Sequence, residues 1–179
     1  MLARTPLGEA SAFVTLLTPE LGILRARAQS VRRPGAKLAA SLATLAESSV
    51  VLVRGREGWR LAGAILEENW FKKLRNAPSR RRAARIAGLL LRLVAGEEND
   101  PALFRVVRGF FQALSELDEP EQELAEVLAD LRIISALGLD AGIVPGEASA
   151  YAPSLLASVA GDRMAYVRRI NQGIEASGL

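Results

Sequence analysis

The apolar residues of this 179-residue chain change period near residue 70, and that change limits the possible architecture more than any single motif. Up to Glu67 they alternate or run in short β-branched stretches, whereas after Pro78 they recur every three or four residues. Strands followed by helices, with no interleaving of the two, specify an α+β fold rather than a parallel α/β sheet.

In the first half, Ala12 to Thr18 (AFVTLLT) reads as a strand, and Leu21 to Ser30 alternates Ile23, Arg25 and Arg27 against Leu24, Ala26 and Ala28. The intervening Thr18-Pro19-Glu20-Leu21-Gly22 places Pro early and Gly late, as a tight hairpin prefers. Val31 to Lys37 (VRRPGAK) is too rich in cations, Pro and Gly for a regular element and reads as an exposed loop. Thr44 to Arg54, the turn Gly55 to Gly58, and Trp59 to Glu67 form a second hairpin. Leu2 to Thr5 supplies the end of a fifth strand, turning through Pro6 to Glu9. Five short strands suit a small closed barrel, since a sandwich needs about seven. The expected division is a barrel over residues 1-70 and an all-α domain over 71-179.

Helices are expected over Arg80 to Ala95, Pro101 to Leu117 and Pro120 to Leu137. The first has a stripe of Ala84, Ala87, Leu90, Leu91 and Val94, with Pro78-Ser79 as its entry signal. The second is capped by Asn99-Asp100, and the third carries acids in its first turn. Gly138 to Ser154 reads as loop, and Pro153 to Ala160 and Asp162 to Ala176 as two final helices.

The net charge of +3 hides a strong asymmetry. Residues 1-92 hold 17 Lys and Arg against 6 Asp and Glu, while residues 93-179 hold 6 against 14. A basic half implies a polyanionic partner, most simply nucleic acid; the alternative is two solvated faces of opposite sign that dock on each other.

The chain has no Cys and no His, which removes thiolate and Ser-His-Asp catalysis, disulfides and ordinary transition-metal sites. No phosphate-binding glycine loop occurs, and the acids Asp118, Glu119, Glu121 and Glu123 crowd a helix start, where the dipole accounts for them. The expectation is a binding protein without catalytic residues, metal or cofactor. With neither a secretory signal nor an apolar run long enough to span a bilayer, it reads as cytoplasmic, with no membrane role.

Three sets of residues are candidates. Arg25, Arg27, Arg32, Arg33 and Lys37 place five cations on one strand and the loop after it, suited to phosphate oxygens. Lys72, Lys73, Arg75, Arg80, Arg81, Arg82 and Arg85 follow Trp70 and Phe71 at the barrel-helix junction; the aromatics fit either base stacking or, as favoured here, packing of the seam. Phe104, Arg105, Val107, Arg108 and Phe111 form an apolar stripe with cations between, which fits either bundle core or a peptide-docking groove.

Leu7-Gly8-Glu9-Ala10, the run Val14 to Gly22 (VTLLTPELG), Arg25 to Ala28 (RARA) and Val31 to Ala39 (VRRPGAKLA) come in the order and near the spacing of the RecO family's N-terminal barrel, and the chain resembles that family. Val167 to Leu179 (VRRINQGIEASGL) is similar to RecO C-termini. The resemblance implies an OB-like barrel, a helical domain, binding of single- and double-stranded DNA, strand annealing, and cooperation with RecR and the single-stranded-DNA-binding protein in loading RecA, hence a nucleoid-associated location. An adaptor that docks the tail of the single-stranded-DNA-binding protein in the helical groove, with weak or lost DNA binding, is the alternative. Many members carry a four-cysteine zinc module, which a chain without Cys cannot build; the corresponding region is compressed into the Gly138 to Ser154 loop. The family's first strand is also longer, so the expectation is either a shortened first strand with an exposed edge or a true start upstream of Met1.

Overall fold

A computed structural model describes residues 1-9, 11-29, 38-94, 96-97 and 101-178. Strands β1 (Ala3–Leu7), β2 (Ser11–Thr18), β3 (Gly22–Ala28), β4 (Ala46–Gly55) and β5 (Gly58–Asn69) form one sheet in the order β1-β2-β3-β5-β4. All neighbours are antiparallel except β3 and β5, which run parallel. A short helix, α1 (Leu38–Ser41), lies between β3 and β4 and packs on β4 and β5.

The two edges of the sheet meet at one end. Leu45 N–H donates to the Met1 carbonyl at 3.0 Å, and the Met1 amine donates to the Ala46 carbonyl at 2.8 Å. No β1–β4 ladder extends beyond this contact among the described residues, so the barrel is closed at one end and open along the rest of the seam. Ala12, Val14, Leu16, Leu24, Ala26, Ala28, Leu42 and Leu61 fill its interior. The small alanines on β2 and β3 allow the strands to coil tightly.

The helices are α2 (Trp70–Lys73), α3 (Ala77–Leu93), α4 (Pro101–Glu116), α5 (Glu119–Ala136) and α6 (Pro153–Ala176). Helix α4 buries Leu103, Val106, Val107, Phe110, Phe111 and Leu114, the stripe expected from its spacing. The barrel contributes to the same apolar cluster through Leu2, Leu17, Ile23 and Leu45. Leu17 and Ile23 are cross-strand partners on the outer face of β2 and β3. One end of that face is therefore covered by helices, and the rest is left to solvent.

Several boundaries differ from expectation. Pro6 and Leu7 belong to β1 rather than to the turn, because their register with Ala12 and Ser11 continues the ladder. Helix α3 begins at Ala77, three residues earlier than its apolar period implies, because the Asn76 side chain accepts from Ser79 N–H and Pro falls in the first turn. Its buried stripe is Ser79, Ala83, Ile86, Ala87 and Leu90; Ala84 and Leu91 face solvent, since branched Ile86 rather than Ala84 is seated in the core. The two final helices are one: α6 runs unbroken through exposed Gly161, where the propensity penalty of about 1 kcal/mol is too small to stop a 24-residue helix packed on α5. The basic loop at residues 31-37 and the Asn99-Asp100 cap lie outside the described residues.

The connection between α5 and α6 is held by Arg132. Its guanidinium, 4% exposed, donates to the carbonyls of Ala148 (3.1 Å), Ala150 (2.8 Å) and Pro145 (2.8 Å) and sits 4.8 Å from the Tyr151 ring centroid. Gly109 lets this loop cross α4, since a Cβ there would stand 2.7 Å from the Ser149 carbonyl oxygen. With no Cys in the chain, and no cluster of Asp and Glu suited to a metal among the described residues, the loop does not fit zinc. Backbone carbonyls gathered on one guanidinium hold it instead.

Candidate nucleic-acid interface

The alternation of β3 turns Arg25 and Arg27 outward while Leu24, Ala26 and Ala28 fill the barrel. Strand pairing then brings other side chains beside them, because residues directly opposite one another share a face. Thr5 pairs with Phe13, Phe13 with Arg27, Arg27 with Arg60, and Arg60 with Val53, forming one row across all five strands. Arg25 lies one row along, opposite Thr15, and its guanidinium carbon stands 4.1 Å from the Phe13 ring centroid. The open part of the outer face thus carries the half-buried Phe13 ring flanked by Arg25 and Arg27, with Arg60 on the far side of Arg27.

Arg25, Arg27 and Arg60 are all exposed, and among the described residues none of them forms an ion pair. Arg27 and Arg60 are like charges directly opposite on adjacent strands, an arrangement that destabilises a sheet unless an anion lies over it. Arg32, Arg33 and Lys37, expected to act with Arg25 and Arg27, lie outside the described residues.

The junction cations divide by environment. Lys72, Arg75 and Arg81 are exposed. Arg80 donates to the Leu74 carbonyl at 2.8 Å and places its guanidinium carbon 4.5 Å from the ring centroid of Phe71, which is 45% exposed. Lys73 is bound to Glu68 and lies 5.1 Å from the Trp70 ring centroid. Trp70 plugs the seam, buried, with its indole N–H on Glu47 at 3.1 Å and its ring 6.4 Å from that of Phe111. Phe71 does not share that role.

Arg82 and Arg85 converge on one carboxylate, Glu126 of α5, at 2.8 and 2.6 Å. Burial opposes the charge on Glu126, but the hydrogen bonds from Arg85 and Arg82 outweigh it and hold the carboxyl below its ordinary range. The next acid along α5, Asp130, has no such donors among the described residues. Burial, then the Glu126 charge, pushes it up to about 7 against the nearby Arg85. Because the folded state holds this proton more tightly than the unfolded chain, stability falls as pH rises from about 4 to about 7 and then levels. Asp130→Asn is expected to flatten that slope and to raise the urea midpoint at pH 8 while leaving it nearly unchanged at pH 4; equal effects at both values would contradict the assignment.

The apolar members of the α4 set face inward and its two arginines do not. Val107 and Phe111 are buried, Phe104 is half-buried, Arg105 is exposed, and Arg108 donates to Glu47 at 2.9 Å. With Leu16, Leu17 and Val50, the apolar members line a cavity of about 390 Å³ between α4 and the open seam of the barrel. Its charged lining is Glu20, Glu47, Glu67 and Arg108, and Arg108 is already engaged, so the rim does not complement an acidic peptide.

On β5 no cation stands between Arg60 and the junction, while Glu67 and Glu68 occupy the end of the strand. At about 3.3 Å per residue the two basic clusters lie on the order of 30 Å apart along it. Reasoning from sequence missed Phe13, Arg60 and the exposure of Phe71. The alternation of β2 was sufficient to turn Phe13 outward opposite Arg27, but Arg60 required the parallel β3–β5 pairing, which no local signal announces.

Residues 1–66 match the family described as recombination protein O N terminal. The DNA repair protein RecO of Dehalococcoides mccartyi strain BAV1 is 32% identical over 122 residues, covering 68% of this chain and 48% of that protein. That of strain CBDB1 is 31% identical over the same shares. That of strain 195 is 27% identical over 139 residues, 77% of this chain and 54% of that protein. The chain spans about half the length of the curated relatives it matches.

Proposed function

The chain is a RecO-family protein through its N-terminal OB domain, and from that premise we propose that it is a non-enzymatic mediator of DNA repair and recombination that holds DNA on the outer face of the barrel. The observation that carries this reading is the group of three exposed arginines, none paired with an acid among the described residues, on the part of the β2–β3–β5 surface that the helices leave open. Their guanidinium groups neutralise backbone phosphates and release counterions, so binding is strongly salt-dependent and open to both single- and double-stranded DNA. Arg32, Arg33 and Lys37 extend the face from the adjoining loop, and Lys72, Arg75, Arg80 and Arg81 form a second contact region beyond it. Arg82 and Arg85 contribute positive potential while tied to Glu126.

In this reading the acidic helical half is left for protein contacts, with RecR and the single-stranded-DNA-binding protein as partners and RecA loading and strand annealing as the outcome. The same reading puts the protein in the cytoplasm on nucleoid DNA. Separately, no described helix is long and apolar enough to cross a membrane. The cavity beside α4 favours a peptide-docking role as the second reading, but its acidic rim weighs against the acidic tail such a role requires. Fluorescence anisotropy with a labelled single-stranded oligonucleotide tests the proposal: binding that weakens steeply with salt is expected, and no binding at low salt would overturn it.

A further inference from the structure

Seven of the nine aromatic residues, Trp59, Trp70, Phe104, Phe110, Phe111, Tyr151 and Tyr166, pack into or against the two apolar cores. Phe13 and Phe71 belong to neither. Both lie in the basic half of the chain, one in each basic cluster, and each carries an arginine over its ring, Arg25 at 4.1 Å and Arg80 at 4.5 Å. Phosphate binding needs only the cations. Phe71 is 45% exposed and Phe13 is only half-buried on the outer face of β2, so neither ring has the full burial that ordinarily places Phe in a core.

We infer that Phe13 with Arg25, and Phe71 with Arg80, are platforms on which unpaired nucleic-acid bases stack, so that the preferred ligand of the basic half is a single strand with splayed bases. This inference rests on the DNA-binding reading above. Aromatic rings and guanidinium planes both stack on bases without regard to sequence, and a guanidinium already held over a ring is oriented to continue the stack while its N–H groups reach the flanking phosphate. A duplex exposes its phosphates but keeps its base faces covered, so it uses the arginines and not the rings. With the two platforms on the order of 30 Å apart along β5, each serves its own stretch of strand.

The test compares three labelled ligands by anisotropy with the intact chain: an oligothymidine of about 15 nucleotides, a strand of the same length made of abasic residues, and a duplex of that length. Phe13→Leu and Phe71→Leu keep apolar bulk but remove the stacking surface. Each is expected to weaken oligothymidine binding about tenfold and to change abasic and duplex binding less than about twofold. If the abasic strand binds as tightly as oligothymidine and both variants bind oligothymidine like the parent, the stacking inference is overturned while phosphate binding stands. If the parent binds none of the three, both readings fall. Circular dichroism melts of the two variants show whether the fold is retained, and a variant that weakens all three ligands alike counts against stacking at that ring.

Discussion

Replacing Arg132 with Met is expected to lower the stability of the whole chain by about 3–4 kcal/mol, a drop in Tm of roughly 10 °C at this size. Three carbonyls, those of Pro145, Ala148 and Ala150, share the one guanidinium, and Tyr151 lies against its face. Removing it leaves partly buried acceptors without donors at about 1–3 kcal/mol each at full burial, reduced by the water that reaches them as the loop opens. The consequence extends beyond the loop, because residues 138–152 carry Tyr151 onto Phe110 and lead into α6, which packs along α5. Arg132→Lys restores the charge but not the planar fork that reaches three acceptors, so it should recover only a minor part of the loss. A thermal melt decides the point: a shift of less than about 3 °C for Arg132→Met would mean that the loop is held by other contacts.

The second large effect concerns binding rather than stability. The triple variant Arg25→Ala, Arg27→Ala, Arg60→Ala is expected to lose about 100-fold in affinity for single-stranded DNA at low salt. Its plot of log affinity against log salt should be shallower by about 2, the slope that three released counterions contribute on a single strand. Removing three exposed side chains, two of which repel each other across β3 and β5, should leave the melting temperature unchanged or slightly raised. That opposite movement of binding and stability separates a ligand site from a structural feature. A triple variant that binds with the parent's affinity and salt slope would assign DNA binding to another surface.

The sequence displayed the parts of this fold whose signals are local. The alternation in β3 and the helical stripe of α4 each followed from one run of residues read alone. What it concealed depends on pairings between distant segments. Ile23 alternates onto the face of Arg25 and Arg27, yet it and its partner Leu17 are covered by helices because that end of the outer face meets α4. Gly161 looked like a helix break, yet packing against α5 carries α6 through it. Arg82 and Arg85 were indistinguishable from Arg81 in a run of cations until α5 brought Glu126 against them. The candidate site divides in the same way: Arg25 and Arg27 were visible as a face of one strand, while Arg60 joined them only through the crossover that lays β5 parallel to β3.

Bound DNA is expected on the outer barrel face, and amide chemical-shift mapping measures its location directly. Titrating the isotopically labelled chain with oligothymidine should perturb the amides around Phe13, Arg25, Arg27 and Arg60 first and most strongly, with a second group around Phe71, Arg80 and Arg81. Perturbations confined to α5 and α6, or to the α4 cavity around Phe104 and Arg108, would contradict that location.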